Sequence, residues 1–242
     1  MPMTKNSTGA GQDWVRESAF GGWFLNTWMW IGYVLKPSLD HLEKLLDPKL
    51  DRYPAILDVG CGHGCSLLQL DRRFRPNRII ALDVDPNVLE WAAPRAARCR
   101  GQVEFLINNA AAMDLPGESV DMVFCHQTFH HLIDQEAAAR EFYRVLKPGG
   151  VLLFAESCRR YIRSWLIRLL FRHPMDVQKT DQEYLDLLNA TGFEFHVNTV
   201  SKPYLWWSRP DLGLLEKLGA RIPQDREETL LYLVAYRPRL GR

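Results

Sequence analysis

The sequence predicts an α/β fold built on a doubly wound, mostly parallel sheet. Three observations carry that reading. Short apolar runs alternate with segments of helical spacing through the middle of the chain. The first run leads into a glycine-rich turn, Gly60-Cys61-Gly62-His63-Gly64. The second run ends on an acid, Asp83, placed where a carboxylate can accept ribose hydroxyls.

Ala55–Val59 follows Pro54 as the first strand, and Ser66–Phe74 has helical spacing. Arg78–Leu82 is the second strand. Asp85-Pro86 opens a helix to about Arg98, with proline suited to the first turn. Gln102–Ile107 and Val120–Cys125 are the third and fourth strands. Gln135–Leu146 is a helix closed by Lys147-Pro148-Gly149-Gly150, and Val151–Glu156 is the fifth strand. Glu194–Val200 and Leu230–Tyr236 are the last two. Most runs are apolar throughout, as strands covered on both faces require.

Residues 1–50 are expected to form an N-terminal helical cap, notably a helix over Pro37–Leu46. The main domain spans 51–242, with cap insertions near 157–180 and 203–227. Such a cap would lie over the carboxyl ends of the strands, where open α/β sheets bind ligands.

The chain has 242 residues, 47% of them hydrophobic and 24% charged, with a net charge of +1. That balance excludes a disordered chain and a global basic field for nucleic acid. Five cysteines, an odd number with no C-x-x-C, imply reduced thiols and a cytoplasmic protein. The N-terminus is small and polar and lacks the apolar core of a signal peptide. Between Glu17 and Lys36 the chain is uncharged and rich in aromatics, but Gly21, Gly22, Asn26, Thr27 and Gly32 interrupt it. It reads as a buried helix or a hydrophobic substrate lid rather than a span.

Glycines in the first turn let the backbone approach a ligand with no side chain in the way, and the following helix offers free N–H groups. The dinucleotide fingerprint G-x-G-x-x-G is not met, because Cys65 stands at its third glycine. No P-loop motif is present.

Four stretches in order, ILDVGCGHG (56–64), ALDVDP (81–86), SVDMVFCHQTFHHL (119–132) and EFYRVLKPGGVLLFAE (141–156), resemble the class I S-adenosylmethionine-dependent methyltransferases. The likeness is to the small-molecule, quinone-biosynthesis-like branch. It covers about 55–156; the two ends match no family pattern. The resemblance implies a seven-stranded Rossmann-like sheet with its last strand antiparallel, and S-adenosyl-L-methionine as cofactor. It implies that Asp58 and the backbone of Gly60 hold the methionine amino group, directly or through water, that Gly62 and Gly64 shape the turn, and that Cys61 between them is a cofactor-binding position. Asp83 would bind the ribose and Val84 would pack on the adenine. Ala111 replaces the acid that relatives use toward the adenine amine, leaving backbone groups near Ala112 and Met113, or Asn109 or Asp114, to substitute. Cys125 and Gln127 would line the methionine arm and pocket.

Methyl transfer needs a positioned acceptor, water exclusion and, for a hydroxyl, a base. The candidates are His126, His130, His131 and Glu156, all at or just beyond strand ends. The alternative role for one of the His130-His131 pair is to cap the next helix or pack in the core, and for Glu156 to serve as a helix N-cap or in a salt bridge. No carboxylate or cysteine spacing completes a metal site, so no metal is expected.

Residues 159–172 combine an apolar stripe at 162, 165, 166, 169 and 170 with arginines at 159, 160, 163, 168 and 172. That pattern suits either a cap helix or peripheral contact with an anionic membrane. Trp14, Trp23, Trp28, Trp30, Trp206 and Trp207 lie outside the strands, and aromatic covers suit a hydrophobic small-molecule acceptor. Two other readings stand beside this one. Nucleic-acid or protein methylation is disfavoured, because Cys125-His126-Gln127-Thr128 is not an N-P-P-Y-type tetrapeptide. A scaffold that binds cofactor weakly is supported by Ala111 alone. Oligomeric state is not legible.

Overall fold

The computed structural model describes residues 15, 17–209, 212, 214–219 and 225–239. Seven strands form one sheet: β1 (Ala55–Val59), β2 (Arg78–Asp83), β3 (Gln102–Ile107), β4 (Val120–His126), β5 (Leu146–Ser157), β6 (Val200–Ser201) and β7 (Leu230–Tyr236). Their order is β3-β2-β1-β4-β5-β7-β6. The β1, β2, β3, β4 and β5 pairings are parallel, and β7 runs antiparallel to both β5 and β6. The order reverses at β1, so a crevice opens between the loops after β1 and β4, as open α/β sheets require.

Each strand face builds its own core. Leu57 and Val59 of β1 join Val123, Leu152 and Phe154 under α6 (Gln135–Val145) and α9 (Asp181–Thr191). Ile56 points the other way, with Ile79, Met122 and Leu153, under α3 (Lys36–Leu45), α4 (Leu67–Phe74) and α5 (Pro86–Ala96). Successive residues alternate between cores because strand side chains alternate between faces. Leu39 and Leu42 of α3 are fully buried there, each contributing about 1.5–3 kcal/mol. Ser38 Oγ lies 2.7 Å from the Tyr232 hydroxyl, tying α3 to β7.

The N-terminal segment therefore divides. α3 belongs to the body of the domain, whereas α1 (Ala19–Phe24) and α2 (Trp28–Trp30) reach over the strand ends. The apolar spacing over Phe20–Val34 is not one helix. Ser18 caps α1, and Thr27 caps α2 by accepting from the Trp30 N–H, so the chain stops and restarts between them. A wide π turn (Ile31–Leu35) then leads into α3. It ends just before Pro37, which has no N–H to donate to an α-helical partner.

Two other expectations are corrected. Glu194–Val200 is not a continuous strand: Glu194 makes an isolated bridge to Tyr236, Val197–Thr199 is a 3-10 turn, and only Val200–Ser201 pairs with β7. Residues 159–172 are two short helices, α7 (Arg159–Ile162) and α8 (Trp165–Leu170), with Ser164 in extended backbone between them. The expected stripe is also split. Ile162 and Ile167 are buried, while Trp165 and Leu169 lie on the surface. No helix among the described residues is long and apolar enough to cross a membrane. Trp14 and parts of the expected 203–227 insertion lie outside the described residues; within it, Trp206–Ser208 is a 3-10 turn and Leu214–Lys217 forms α10.

Candidate functional site

The glycine turn after β1 is held from both sides. The Gly60 and Cys61 N–H groups donate to the Leu82 carbonyl at 2.8 and 3.0 Å. The Gly62 N–H donates to Asp83 Oδ2 at 2.8 Å. Gly60 has φ +68, and a Cβ there would meet the Thr128 side chain at 2.3 Å. Gly64, at φ +73, would meet the Cβ of Ala92 on α5 at 2.9 Å. Both glycines are thus required by backbone conformation and by close approach together.

A cavity of about 1000 Å³ opens beside this turn. Gly60, Gly62, Asp83, Val84, Asn109 and Gln127 are among the residues lining it. Asp83 Oδ1 also accepts from the Asp85 N–H at 3.1 Å, which fixes its carboxylate at the end of β2. Burial pushes the Asp83 pKa up, against the backbone N–H groups that lower it.

Asp58 lies deeper, beside a small neighbouring cavity of about 90 Å³ that also touches Gly60, Gly62, His126 and Gln127. Its carboxylate accepts from the Ser66 hydroxyl. Burial raises its pKa to about 7, with the Asp83 charge adding to the rise and the Ser66 hydrogen bond opposing it.

The loop after β3 departs from expectation. Asn108, Asn109 and Ala110 line the large cavity. Met113 instead packs in the core, and its N–H donates to Glu141 Oε2 at 2.7 Å. Ala112 is exposed and pairs with Asn109 in an isolated bridge. Neither lines the cavity.

An apolar cavity of about 220 Å³ adjoins the first. Phe20, Phe24, Trp30, Ile167, Phe171 and Trp207 supply much of its wall. Glu17, Leu25, Gln127 and His131 line both cavities and so mark their junction. Gln127 sits at φ +52, immediately after β4. Its side-chain oxygen accepts from the Ser157 hydroxyl, and its buried Nε2 has no partner among the described residues.

The four catalytic candidates are sorted by these contacts. Glu156 is fully buried at the end of β5 and lines none of the three cavities. Its Oε1 accepts from the Thr128 and Phe129 N–H groups at 2.9 Å each, and its Oε2 lies 2.7 Å from His130 Nδ1. Burial raises its pKa, but the hydrogen bond and charge of His130, with those N–H donors, outweigh it and hold the group below its ordinary value. Glu156 therefore holds the Thr128–His131 turn in place through these contacts.

His126 stacks on Phe124 beside Trp30 and faces the small cavity near Asp58. Burial lowers its pKa to about 4. His130 and His131 both line the apolar cavity. Burial, then the charges of His130 and His173, hold His131 well below its ordinary value. Cys61 and Cys125 are buried, Cys125 beneath Glu156 with its Sγ 3.4 Å from Oε1. All five cysteines are free thiols.

His173, which follows α8, was absent from the sequence expectations. Its ring centroid lies 4.7 Å from that of His131 and 5.2 Å from that of His130. The signal was faint, because His173 sits in a loop with no periodicity linking it to the His130-His131 pair.

Residues 57–154 match a family described as "Methyltransferase domain". Phosphoethanolamine N-methyltransferase 3 of Arabidopsis thaliana is 30% identical over 130 residues, 53% of this chain and 26% of the relative. The chain thus spans about a quarter of that relative's length. A malonyl-[acyl-carrier protein] O-methyltransferase of Marinomonas sp. (strain MWYL1) is 27% identical over 188 residues, 75% of this chain and 69% of the relative. Among solved structures, phosphoethanolamine N-methyltransferase 2 of Haemonchus contortus, in complex with phosphomonomethylethanolamine and S-adenosylhomocysteine, superposes with a TM-score of 0.63 at 18% identity. That alignment covers 91% of this chain and 58% of the other.

Proposed function

From a chain that carries a class I S-adenosylmethionine-dependent methyltransferase domain, we infer methyl transfer to a small acceptor with an apolar body. One observation carries the inference about the acceptor: the glycine-turn cavity and the aromatic cavity meet at Glu17, Leu25, Gln127 and His131. A donor held in the first and an acceptor held in the second would face each other at that junction.

The residues of the larger cavity fit the cofactor. Gly60 lets the turn pack against Thr128 with no side chain in the way, Asp83 presents a fixed carboxylate, and Asp58 lies where a cationic amino group would favour its ionised form. S-Adenosylmethionine, when bound, supplies an electrophilic methyl group. This chain orients the reactants and excludes water, which is most of what an in-line displacement asks of a protein. Gln127, which lines both cavities and whose buried Nε2 has no partner among the described residues, can orient an acceptor oxygen there. His131, which lines both cavities, can orient an acceptor there.

The named relatives act on phosphoethanolamine and on malonyl-[acyl-carrier protein]. The wall of Phe20, Phe24, Trp30, Ile167 and Phe171 favours an apolar acceptor over a phosphorylated amine here. Incubation with methyl-labelled S-adenosylmethionine and a panel of phenols, quinones, fatty acyl compounds and phosphoethanolamine tests this. Label in an apolar acceptor supports the reading. Label in phosphoethanolamine alone would overturn it.

A further inference from the structure

We propose that His130, His131 and His173 form a three-histidine site for a divalent transition-metal ion at the wall of the apolar cavity. The three rings come from two separate segments, the 3-10 turn Phe129–His131 and the loop after α8. They gather into one group, with centroid separations of 4.4, 4.7 and 5.2 Å. One ring nitrogen from each lies within 4.8 Å of the others. A tetrahedral zinc ion with nitrogens at about 2.0–2.1 Å holds them roughly 3.3 Å apart. Small ring rotations close that difference, and His131 and His173 are only partly buried.

Hydrogen bonding points the same way. His130 spends Nδ1 on the Glu156 carboxylate, so its Nε2 is the nitrogen left for a ligand. A histidine whose other nitrogen is held by a carboxylate is the usual second layer of a metal site, fixing tautomer and ring direction. Among the described residues, the ring nitrogens of His131 and His173 have no hydrogen-bond partner, although both face a largely apolar cavity. The rings of His131 and His173, beside the Glu156-held ring of His130, thus keep lone pairs free, and an ion can take one from each of the three. The set is all nitrogen, which suits zinc, nickel, copper or iron rather than magnesium or calcium.

Three protein ligands leave a fourth position open, as in catalytic rather than structural sites. All three histidines line the apolar cavity, so that position would face the acceptor. An oxygen or nitrogen donor on an otherwise apolar molecule is the chemistry it would take. The sequence motif missed the site because His126, not His173, stands near the pair along the chain.

The test is a titration of tag-free, chelator-treated protein with Co2+ and then Zn2+, without cofactor or acceptor, so its outcome does not depend on the methyl-transfer reading. One equivalent of Co2+ should bind and give the visible bands of a four-coordinate nitrogen site, bleached by Zn2+. His173→Ala and His131→Ala should each weaken binding roughly tenfold or more. Unfolding curves confirm that the variants are folded, and His173, in a loop, is the substitution less able to disturb the domain. His41→Ala, on α3, should leave binding unchanged. Absence of binding to the folded protein would overturn the proposal. So would binding that survives both substitutions, which would place the ion elsewhere.

Discussion

The Nδ1 of His130 and the Oε2 of Glu156 meet at 2.7 Å, both almost wholly buried, behind the wall of the apolar cavity. The same carboxylate accepts from the Thr128 and Phe129 N–H groups. One side chain on β5 therefore sets the turn that carries His131 to the junction of the two cavities. That acid, at a strand end, lines none of the three cavities.

Removing that acid should cost folding stability first. Glu156→Ala leaves the Thr128 and Phe129 N–H groups and His130 without their partner and should destabilise the protein by about 3–5 kcal/mol. Urea unfolding checks it. A loss below 1 kcal/mol would mean that the turn is held by other contacts.

The turn after β1 should not tolerate a methyl group. Gly60→Ala forces a side chain into the left-handed region and against Thr128. We expect binding of S-adenosylhomocysteine to fall more than tenfold, with about 1–3 kcal/mol of stability lost. Gly60→Ala, Thr128→Ser should recover little of either, because the φ of +68 remains.

Asp58 gives a pH dependence of defined sign. Its folded pKa of about 7 stands above its ordinary value of 3.8. Between those values the folded ligand-free protein keeps a proton that the unfolded chain has lost. Stability therefore falls as pH rises through that window and levels off above it. Asp83, also raised by burial, acts in the same direction. Asp58→Asn should flatten the slope. Cofactor binding should tighten with rising pH up to about 7 and release protons below it, read by calorimetry in buffers of different ionisation enthalpy. Binding without proton release near pH 6 would contradict this account of Asp58.

The aromatic wall should govern the acceptor alone. Phe171 packs edge-on against Phe20 and Phe24 and lines the smaller cavity only. Phe171→Ala should raise KM for an apolar acceptor roughly tenfold, about 1.4 kcal/mol of binding, and leave S-adenosylhomocysteine affinity within a factor of two or so. Equal loss of both would show that the two cavities are not separate subsites.

Much of this was legible in residue order, for a physical reason. β1 and β7 begin and end where their apolar runs do, because strands buried on both faces leave no other pattern. The glycine turn and Asp83 are local in sequence and in space, so their meeting was visible too. β6 was not, since its pairing reduces to Val200 and Ser201 against β7. The stripe over residues 20–34 concealed a break made by one hydrogen bond, from the Trp30 N–H to Thr27. Met113 was misplaced because a carboxylate on α6, Glu141, claims its backbone N–H. His173 reaches His131 through tertiary packing alone, which no spacing rule anticipates.

The most direct test of the central claim is calorimetric titration of S-adenosylhomocysteine into the wild-type protein, Asp83→Asn and Asp83→Ala. One site of micromolar affinity is predicted for the wild type. Asp83→Asn should weaken it at least tenfold and Asp83→Ala should abolish it, with both variants still folded by circular dichroism. No binding by the folded wild-type protein, or equal binding by all three, would contradict the assignment of the glycine-turn cavity as the cofactor site.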